Sequence, residues 1–395
     1  MKPNPITRRT MLGASGAALL AGGSGRLMAS LSATSSAVAV GHVTPRATAE
    51  RVIFFWLGGG LSHLDTWDPK PQRPSQGEFD PIATSATGVW ISEIFPRLAS
   101  QMHHCALVRS LVGQYDQHLP ATSHLQTGRE PTAVVQHPGI GSICVRALGQ
   151  SQEMPPYASI SGRAPSSGWL GPRFAAEFIP SPENALNLSP PPPSRGRDGV
   201  GGRMRRGDAE TRGRGDGDAD AAAVSARYGD TTFGRGTLLA RLLVERGTLF
   251  VHVYRGGFDT HANAFHTLRM HGDVMDRPLA ALIEDLAQSG LLATTLVVVL
   301  SEFGRSPRVN SHAGRDHWSG CFSCLLAGGG ISGGTVVGES DRDGYRPLST
   351  PVQVGDLHAT IFRALGITEP SNASSTGELP LTLNREFHPV MELFA

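Results

Sequence analysis

The sequence has few cysteines and no excess of charge of either sign. Lysine plus arginine number 35 against 34 aspartates plus glutamates. This balance excludes the overall field that would attract nucleic acid or an anionic membrane surface. The 395 residues contain only four cysteines, too few and too scattered for a disulfide framework: Cys105, Cys144, Cys321 and Cys324. Stability must therefore come from a hydrophobic core, and no nucleic-acid partner is expected.

One cysteine pair has the spacing of a redox or metal motif. Cys321 and Cys324 lie in the apolar run 321–327, which is typical of a β-strand. Residues three apart on a strand point to opposite faces of the sheet. We therefore predict that both are buried as small apolar side chains.

The N-terminus has the pattern of an export signal. The sequence Thr7-Arg-Arg-Thr-Met-Leu-Gly13 precedes an apolar stretch rich in Gly and Ala, residues 14–27, and a small-residue cleavage pattern near Ser30. This is typical of a twin-arginine signal. We expect a signal peptide at 1–30, a linker at 31–49, export by the twin-arginine translocase and a periplasmic or cell-envelope location. The apolar stretch is too short for a stable anchor, so no integral membrane segment is expected in the mature chain.

The mature chain alternates apolar strands with helices. Continuous apolar runs are typical of strands buried on both faces of a parallel sheet. We predict strands at 51–57, 248–254, 291–300 and 321–327, and helices at 237–246, 274–288 and 354–365. The order favours an α/β fold, a doubly wound and mostly parallel sheet with helices on both faces, in a domain spanning 50–395.

A segment of low complexity interrupts this domain. Residues 189–220 include four consecutive prolines and then a tract of Arg, Gly and Asp with almost no apolar content. We therefore predict a disordered low-complexity segment at 189–227. Interleaved acidic residues argue against an RGG-like tail that binds nucleic acid. A flexible insertion or a locally altered reading frame remains the better interpretation.

Polar clusters follow the predicted strands, where ligands gather in a doubly wound sheet. They occupy residues 62–68, 257–261, 301–305 and 314–318. Carboxylates and imidazoles are ligands of divalent cations. A carboxylate at the end of a buried run is costly unless it is compensated. We therefore predict a site for zinc, manganese or calcium, with candidate ligands Asp65, Asp259, His261, Glu302 and His317.

The same motifs resemble a known family. Gly58-Gly-Gly-Leu-Ser-His-Leu-Asp-Thr-Trp-Asp68, the 258–261 and 301–307 segments, and Gly314-Arg-Asp-His-Trp318 are similar, in this order, to DUF1501. This family comprises exported, sulfatase-like proteins of the alkaline-phosphatase superfamily. The resemblance covers about 51–188 and 228–366 and implies an alkaline-phosphatase-like fold.

The resemblance also assigns a nucleophile position. Sulfatases carry a Cys or Ser at this position, a Pro two residues later and Thr-Gly-Arg beginning nine residues later. In this chain Pro120 and Thr127 match the last two features, which places His118 at the nucleophile position. A histidine can attack phosphorus or bind a metal, but it cannot become formylglycine. Glu302 stands where the superfamily has an Asp, and His317, Asp259 and His261 resemble phosphatase ligands. A reduced site, with a single metal, is expected.

Two classes of function follow. The first is an exported metal-dependent hydrolase of phosphate or sulfate esters on a small molecule or polysaccharide. His118 or a water molecule would attack, and Arg305 or Arg315 would neutralise the developing charge. The second is a noncatalytic envelope protein that keeps the fold and binds a metal, a polysaccharide or a partner protein, including a metal-binding accessory protein exported folded. Metal content without turnover would favour the second class.

Overall fold

The computed structural model describes residues 47–149, 154–184, 223–367 and 387–394. The predicted signal peptide, most of the 31–49 linker and most of the low-complexity segment lie outside these residues, so those expectations stay predictions. The predicted disorder extended too far at one end, because residues 223–228 are helical.

The described residues form strands, α-helices and short 3-10 turns. The strands are β1 Arg51–Leu57, β2 Pro81–Ala83, β3 Trp90–Ser92, β4 Cys105–Val112, β5 Tyr157–Ile160, β6 Glu177–Ile179, β7 Phe250–Arg255, β8 Thr295–Leu300, β9 Gly304–Val309, β10 Arg315–Trp318, β11 Phe322–Ala327, β12 Val336–Val337, β13 Glu339–Ser340, β14 Pro347–Ser349 and β15 Val352–Gln353. The helices with described bounds are α1 Pro96–Ala99, α2 His118–Thr127, α3 Ile140–Leu148, α4 Thr232–Glu245, α5 Ala264–Gln288 and α6 Val354–Ala364.

The described strands build a nine-stranded mixed sheet. Its order is β12-β4-β11-β8-β1-β7-β5-β6, with β15 also paired to β4. β1 is parallel to both β7 and β8, and α5 forms the crossover between β7 and β8. The predicted α/β class with a mostly parallel sheet is confirmed. The exception is β11, which runs antiparallel to β4 and β8.

The sheet has a hydrophobic core on each face. Successive side chains of a strand point to opposite faces. Phe55 of β1 lies in one core with Leu239 of α4 and Leu282 of α5. Its neighbour Phe54 lies in the other core with Ile361 of α6. This is why β1 has no polar face, and it confirms the prediction of helices on both faces.

Several element bounds differ from prediction. Helix α5 begins at Ala264, ten residues earlier than the apolar stripe of 274–288 indicates, and its first turns bury Phe265 and Leu268. The run 291–300 divides into a short 3-10 turn and β8. Strand β4 was not predicted, although it lies between β12 and β11 in the sheet.

The CxxC pair is buried, as predicted. Cys321 and Cys324 are free thiols without solvent exposure. Strand β11 begins at Phe322, so Cys321 lies just before the strand. Burial raises the pKa of each thiol to about 12, which keeps both protonated and unreactive at neutral pH.

No helix within the described residues is both long enough and apolar enough to span a membrane.

Candidate metal centre

Three neighbouring parallel strands end at one edge of the sheet, and each delivers a polar loop there. Gly58–Gly60 follow β1, Asp259 and His261 follow β7, and Glu302 follows β8. The loops approach closely at Gly59, whose φ is +121°. A Cβ at this position would lie 2.4 Å from the backbone nitrogen of Asp259, so only glycine fits.

Glu302 is buried and positions His118. One carboxylate oxygen accepts hydrogen bonds from Gly59 N at 2.7 Å and from His118 Nδ1 at 2.8 Å. The other oxygen lies 3.0 Å from the hydroxyl of Ser301. A carboxylate that accepts from Nδ1 fixes the tautomer of the imidazole and leaves Nε2 without a proton. Glu302 therefore orients His118 and does not itself face the opening of the site.

The other two histidines are oriented in the same way. Nδ1 of His317 lies 2.6 Å from the backbone oxygen of Asp116. Nδ1 of His261 lies 3.0 Å from Oδ1 of Asp316. Both partners are acceptors, so each Nδ1 must donate and each neutral ring has a bare Nε2.

All three Nε2 atoms converge on Asp259. His118 Nε2 is 3.3 Å from Oδ2 of the carboxylate, and the Nε2 atoms of His261 and His317 are each 3.1 Å from Oδ1. The latter two nitrogens are only 3.0 Å apart. Bare nitrogen lone pairs repel one another and the carboxylate, so this arrangement requires a shared cation or protonated rings.

Asp259 is the ionised centre of the cluster. Its side chain is 48% exposed, and Oδ1 accepts a hydrogen bond from Arg305 at 2.6 Å. Partial burial acts to raise the pKa of Asp259, but the Arg305 hydrogen bond and the contact with His317 hold this pKa well below its usual range. The carboxylate is therefore charged, and Oδ2 is not used by Arg305.

The donor atoms fit a divalent metal. His118, Asp259 and His317 offer ligand atoms that all lie within 4.8 Å of one another. His118 Nε2 is buried, and despite its approach to Asp259 it has no partner in hydrogen-bond geometry. Two imidazoles and a carboxylate are a donor set that catalytic zinc sites use, with a further position left open.

A comparison with protein families is decisive for the classification. The model described as "Protein of unknown function (DUF1501)" matches residues 49–228 and 207–394. The chain belongs to the DUF1501 family. The resemblance seen in the motifs is thereby confirmed. A comparison with curated protein sequences finds no match.

Solved structures similar to this DUF1501 chain include two enzymes and one further protein. The PsFucS1 sulfatase from Pseudoalteromonas sp. is 13% identical with a TM-score of 0.43, covering 88% of this chain and 72% of its own. The phosphonate monoester hydrolase SpPMH from Silicibacter pomeroyi is 14% identical with a TM-score of 0.43, covering 84% and 78%. A protein in the alkaline phosphatase superfamily from Vibrio parahaemolyticus is 12% identical with a TM-score of 0.40, covering 82% and 69%.

In this DUF1501 chain most predicted site residues come together. Asp259, His261 and His317 form the cluster, as do His118, predicted as a nucleophile, and Glu302, which lies behind His118. The structure does not bring Asp65 to the cluster. Both of its oxygens accept from Arg315, at 2.7 and 3.0 Å, in a buried ion pair.

The two predicted catalytic arginines are fully buried. Arg315 donates to Asp65 and to the backbone oxygens of Ser75 and Pro307. Arg305 donates to Gly60 O and to Asp259. Both side chains donate to protein groups and so hold loops together. The sequence had suggested that these arginines contact the substrate.

Sequence reasoning did not identify the acceptors behind His317 and His261. Asp116 acts through its backbone oxygen, which no side-chain pattern reveals, and its carboxylate accepts from Ser319 N at 2.7 Å. Asp316 precedes His317 in the sequence but serves His261, so only its position within the 314–318 cluster was a signal.

Proposed function

We propose that this DUF1501 protein is an exported metal-dependent hydrolase of phosphate or sulfate esters in the periplasm or cell envelope. The observation that carries the proposal is the convergence of three oriented imidazole nitrogens on one half-exposed carboxylate. The site opens at the carboxyl ends of parallel strands, where α/β folds bind ligands. Export rests on the twin-arginine pattern at Thr7–Gly13.

The donor set favours zinc among the metals considered. Imidazole nitrogens suit zinc and related transition metals, whereas calcium prefers a shell of oxygens. His118, His317 and Asp259 would hold the ion, with Glu302 and the Asp116 backbone fixing the two rings. Such an ion supplies Lewis-acid polarisation of the ester oxygen.

The hydrogen bonds of His118 and His261 indicate their roles in the proposed hydrolysis. His118 uses Nδ1 for Glu302 and directs Nε2 into the cluster, so we assign it to binding the ion, and a water molecule becomes the nucleophile. His261 lies at the rim, 47% exposed, with Nδ1 held by Asp316. Its Nε2 is placed to accept the proton of that water, since a base oriented by a carboxylate is the usual arrangement.

The test combines metal analysis with an ester screen. Purified mature protein should contain about one zinc per chain, as a single-metal site requires. His317→Gln should lose the zinc, whereas His312→Gln, at an exposed histidine of the same β9–β10 hairpin, should keep it. Turnover is assayed on p-nitrophenyl phosphate, bis-p-nitrophenyl phosphate and p-nitrophenyl sulfate. His261→Ala should keep most of the zinc and lose turnover; zinc-free, well-folded wild-type protein would refute the mechanism.

One observation favours the second candidate function, a noncatalytic metal- or polysaccharide-binding envelope protein. His118, Arg305 and Arg315, the predicted catalytic set, are all engaged by protein groups. Stoichiometric zinc without turnover on any of the three esters would support this candidate over the hydrolase.

A further inference from the structure

The loop that carries Asp259 and His261 is held on one side by the β9–β10 hairpin. The backbone nitrogen of Arg315 donates to Thr260 O at 3.0 Å. The side-chain nitrogen of Asn310 donates to His261 O at 2.9 Å. These bonds fix the C-terminal half of the loop. They leave its start, the adjacent Gly256 and Gly257, to be fixed by other contacts.

A buried histidine of α5 contacts that start. His271 Nε2 lies 2.9 Å from Gly257 O, and Nδ1 lies 2.8 Å from Nη2 of Arg255, the last residue of β7. The imidazole ring stacks on Phe258, with ring centroids 4.1 Å apart and planes 20° from parallel. His271 therefore bridges the end of β7 to the residue that immediately precedes Asp259.

The two bonds of His271 require one tautomer. A guanidinium can only donate, so Nδ1 accepts from Arg255 and Nε2 carries the hydrogen that is donated to Gly257 O. Burial, with Arg255 nearby, lowers the pKa of His271 and keeps the ring neutral. The ring thus acts as a rigid two-ended clamp on a loop that begins with two glycines.

We propose that His271 is a positioning residue of the metal centre, which holds the Gly257–Asp259 backbone so that Asp259 faces His118 and His317. The proposal rests on the metal centre described under the proposed function. Gly257 has φ +99°, and glycine pairs allow many backbone conformations. Without the clamp, ordering this loop must be offset by the binding of the metal, so the affinity falls.

The experiment measures zinc affinity against the stability of the metal-free protein. His271→Asn removes the Nε2 donor to Gly257, and His271→Gln keeps a donor at the end of the side chain. The matched control is His252→Asn, at a buried histidine of β7 that contacts Ser159 and not the loop. Zinc dissociation constants come from competition with a chromophoric chelator, and melting temperatures are taken with chelator in excess.

We expect His271→Asn to bind zinc about tenfold more weakly than the His252→Asn control, the lower end of the range for outer positioning groups. His271→Gln should recover part of that loss. Cobalt(II)-loaded His271→Asn should also show an altered visible spectrum, since the Asp259 ligand moves. If His271 only stabilises the fold, all three variants should have the same zinc dissociation constant. That result would overturn the proposal.

The outcomes separate this inference from the hydrolase proposal. If the wild type binds zinc without ester turnover and His271→Asn binds zinc tenfold more weakly than the control, the positioning role of His271 is supported and the hydrolase proposal is refuted. Turnover with unchanged affinity in His271→Asn removes the clamp alone. Wild type without zinc removes both. If His271→Asn does not fold, Phe258→Leu takes its place: weaker zinc binding than in His252→Asn supports the clamp, and equal binding overturns it.

Discussion

Two aspartate–arginine pairs at the same end of the sheet have opposite environments. Asp65 and Arg315 are both fully buried, and each carboxylate oxygen accepts from the guanidinium. Arg305 is equally buried, but Asp259 is 48% exposed and shares only one of its oxygens with that arginine. The second oxygen faces His118.

The difference shows that the same two residue types can have a structural role in one place and a chemical role in another. A pair whose polar atoms all have protein partners keeps no lone pair for a ligand, so its role is structural. A carboxylate that keeps an open lone pair beside bare imidazole nitrogens can bind a cation. The number of unused lone pairs, rather than residue type or sequence position, distinguishes Asp259 from Asp65.

The largest expected effect concerns the closed pair. Arg315→Met leaves Asp65 buried without its counter-charge, and we expect the free energy of unfolding to fall by about 3–5 kcal/mol. Urea unfolding of the metal-free protein measures this change. Arg308→Met, at an exposed arginine of the same hairpin, is the control and should change little. Equal effects of the two substitutions would contradict the contrast.

The histidines extend the comparison, because His252 is buried and has no ionic partner among the described residues. Burial lowers the pKa of His252 to about 4. The unfolded chain takes up this proton near pH 6.5 and the folded chain only near pH 4, so stability falls as the pH falls through that window, by about 3 kcal/mol.

Urea unfolding at several pH values between 7 and 4 measures the effect. His252→Asn should remove its part of the slope and leave the contributions of the other buried histidines, among them His358, whose pKa burial also lowers to about 4. His312→Asn should keep the full slope. An unchanged slope in His252→Asn would show that this ring has the same pKa in the folded and unfolded chain.

Asp259→Asn should lower zinc affinity strongly and stability only weakly, which is the reverse of the effect expected for Arg315→Met. We expect zinc affinity to fall by about a hundredfold or more, beyond the usual effect of an outer group. The free energy of unfolding of the metal-free protein should fall by less than in Arg315→Met, since the carboxylate is half-exposed and the amide oxygen of Asn can still accept from Arg305. Chelator competition and urea unfolding test both halves. Asp65→Asn is the matched variant, expected to lose stability and keep affinity; the same profile in both would break the comparison.

The smallest effect is expected at Glu302. Glu302→Gln keeps an acceptor for His118 Nδ1 but loses the charge, so zinc affinity should fall by about tenfold. The same chelator competition measures it. A loss as complete as that of Asp259→Asn would show that Glu302 binds the ion directly, as the sequence suggested.

Much of the fold was predictable because buried strands and amphipathic helices have local signals. The apolar runs that became β1, β7, β8 and β11 were found from their composition alone. Strand β4 was missed because Arg109 and Ser110 interrupt its apolar pattern. The antiparallel direction of β11 depends on the connections around it, which a single run of residues does not encode.

The sequence by itself determined which loops carry polar chemistry and, through Asp259, His261, Glu302 and His317, most of the residues of the site. Only the tertiary structure decided their roles. Whether a residue binds the ion or supports another residue depends on which of its lone pairs remain unused after packing. The partners that occupy those lone pairs lie far away in the chain. Asp65 is bound by a residue 250 positions away, and His317 by a backbone oxygen 201 positions away. Such pairings form only when the strands are assembled.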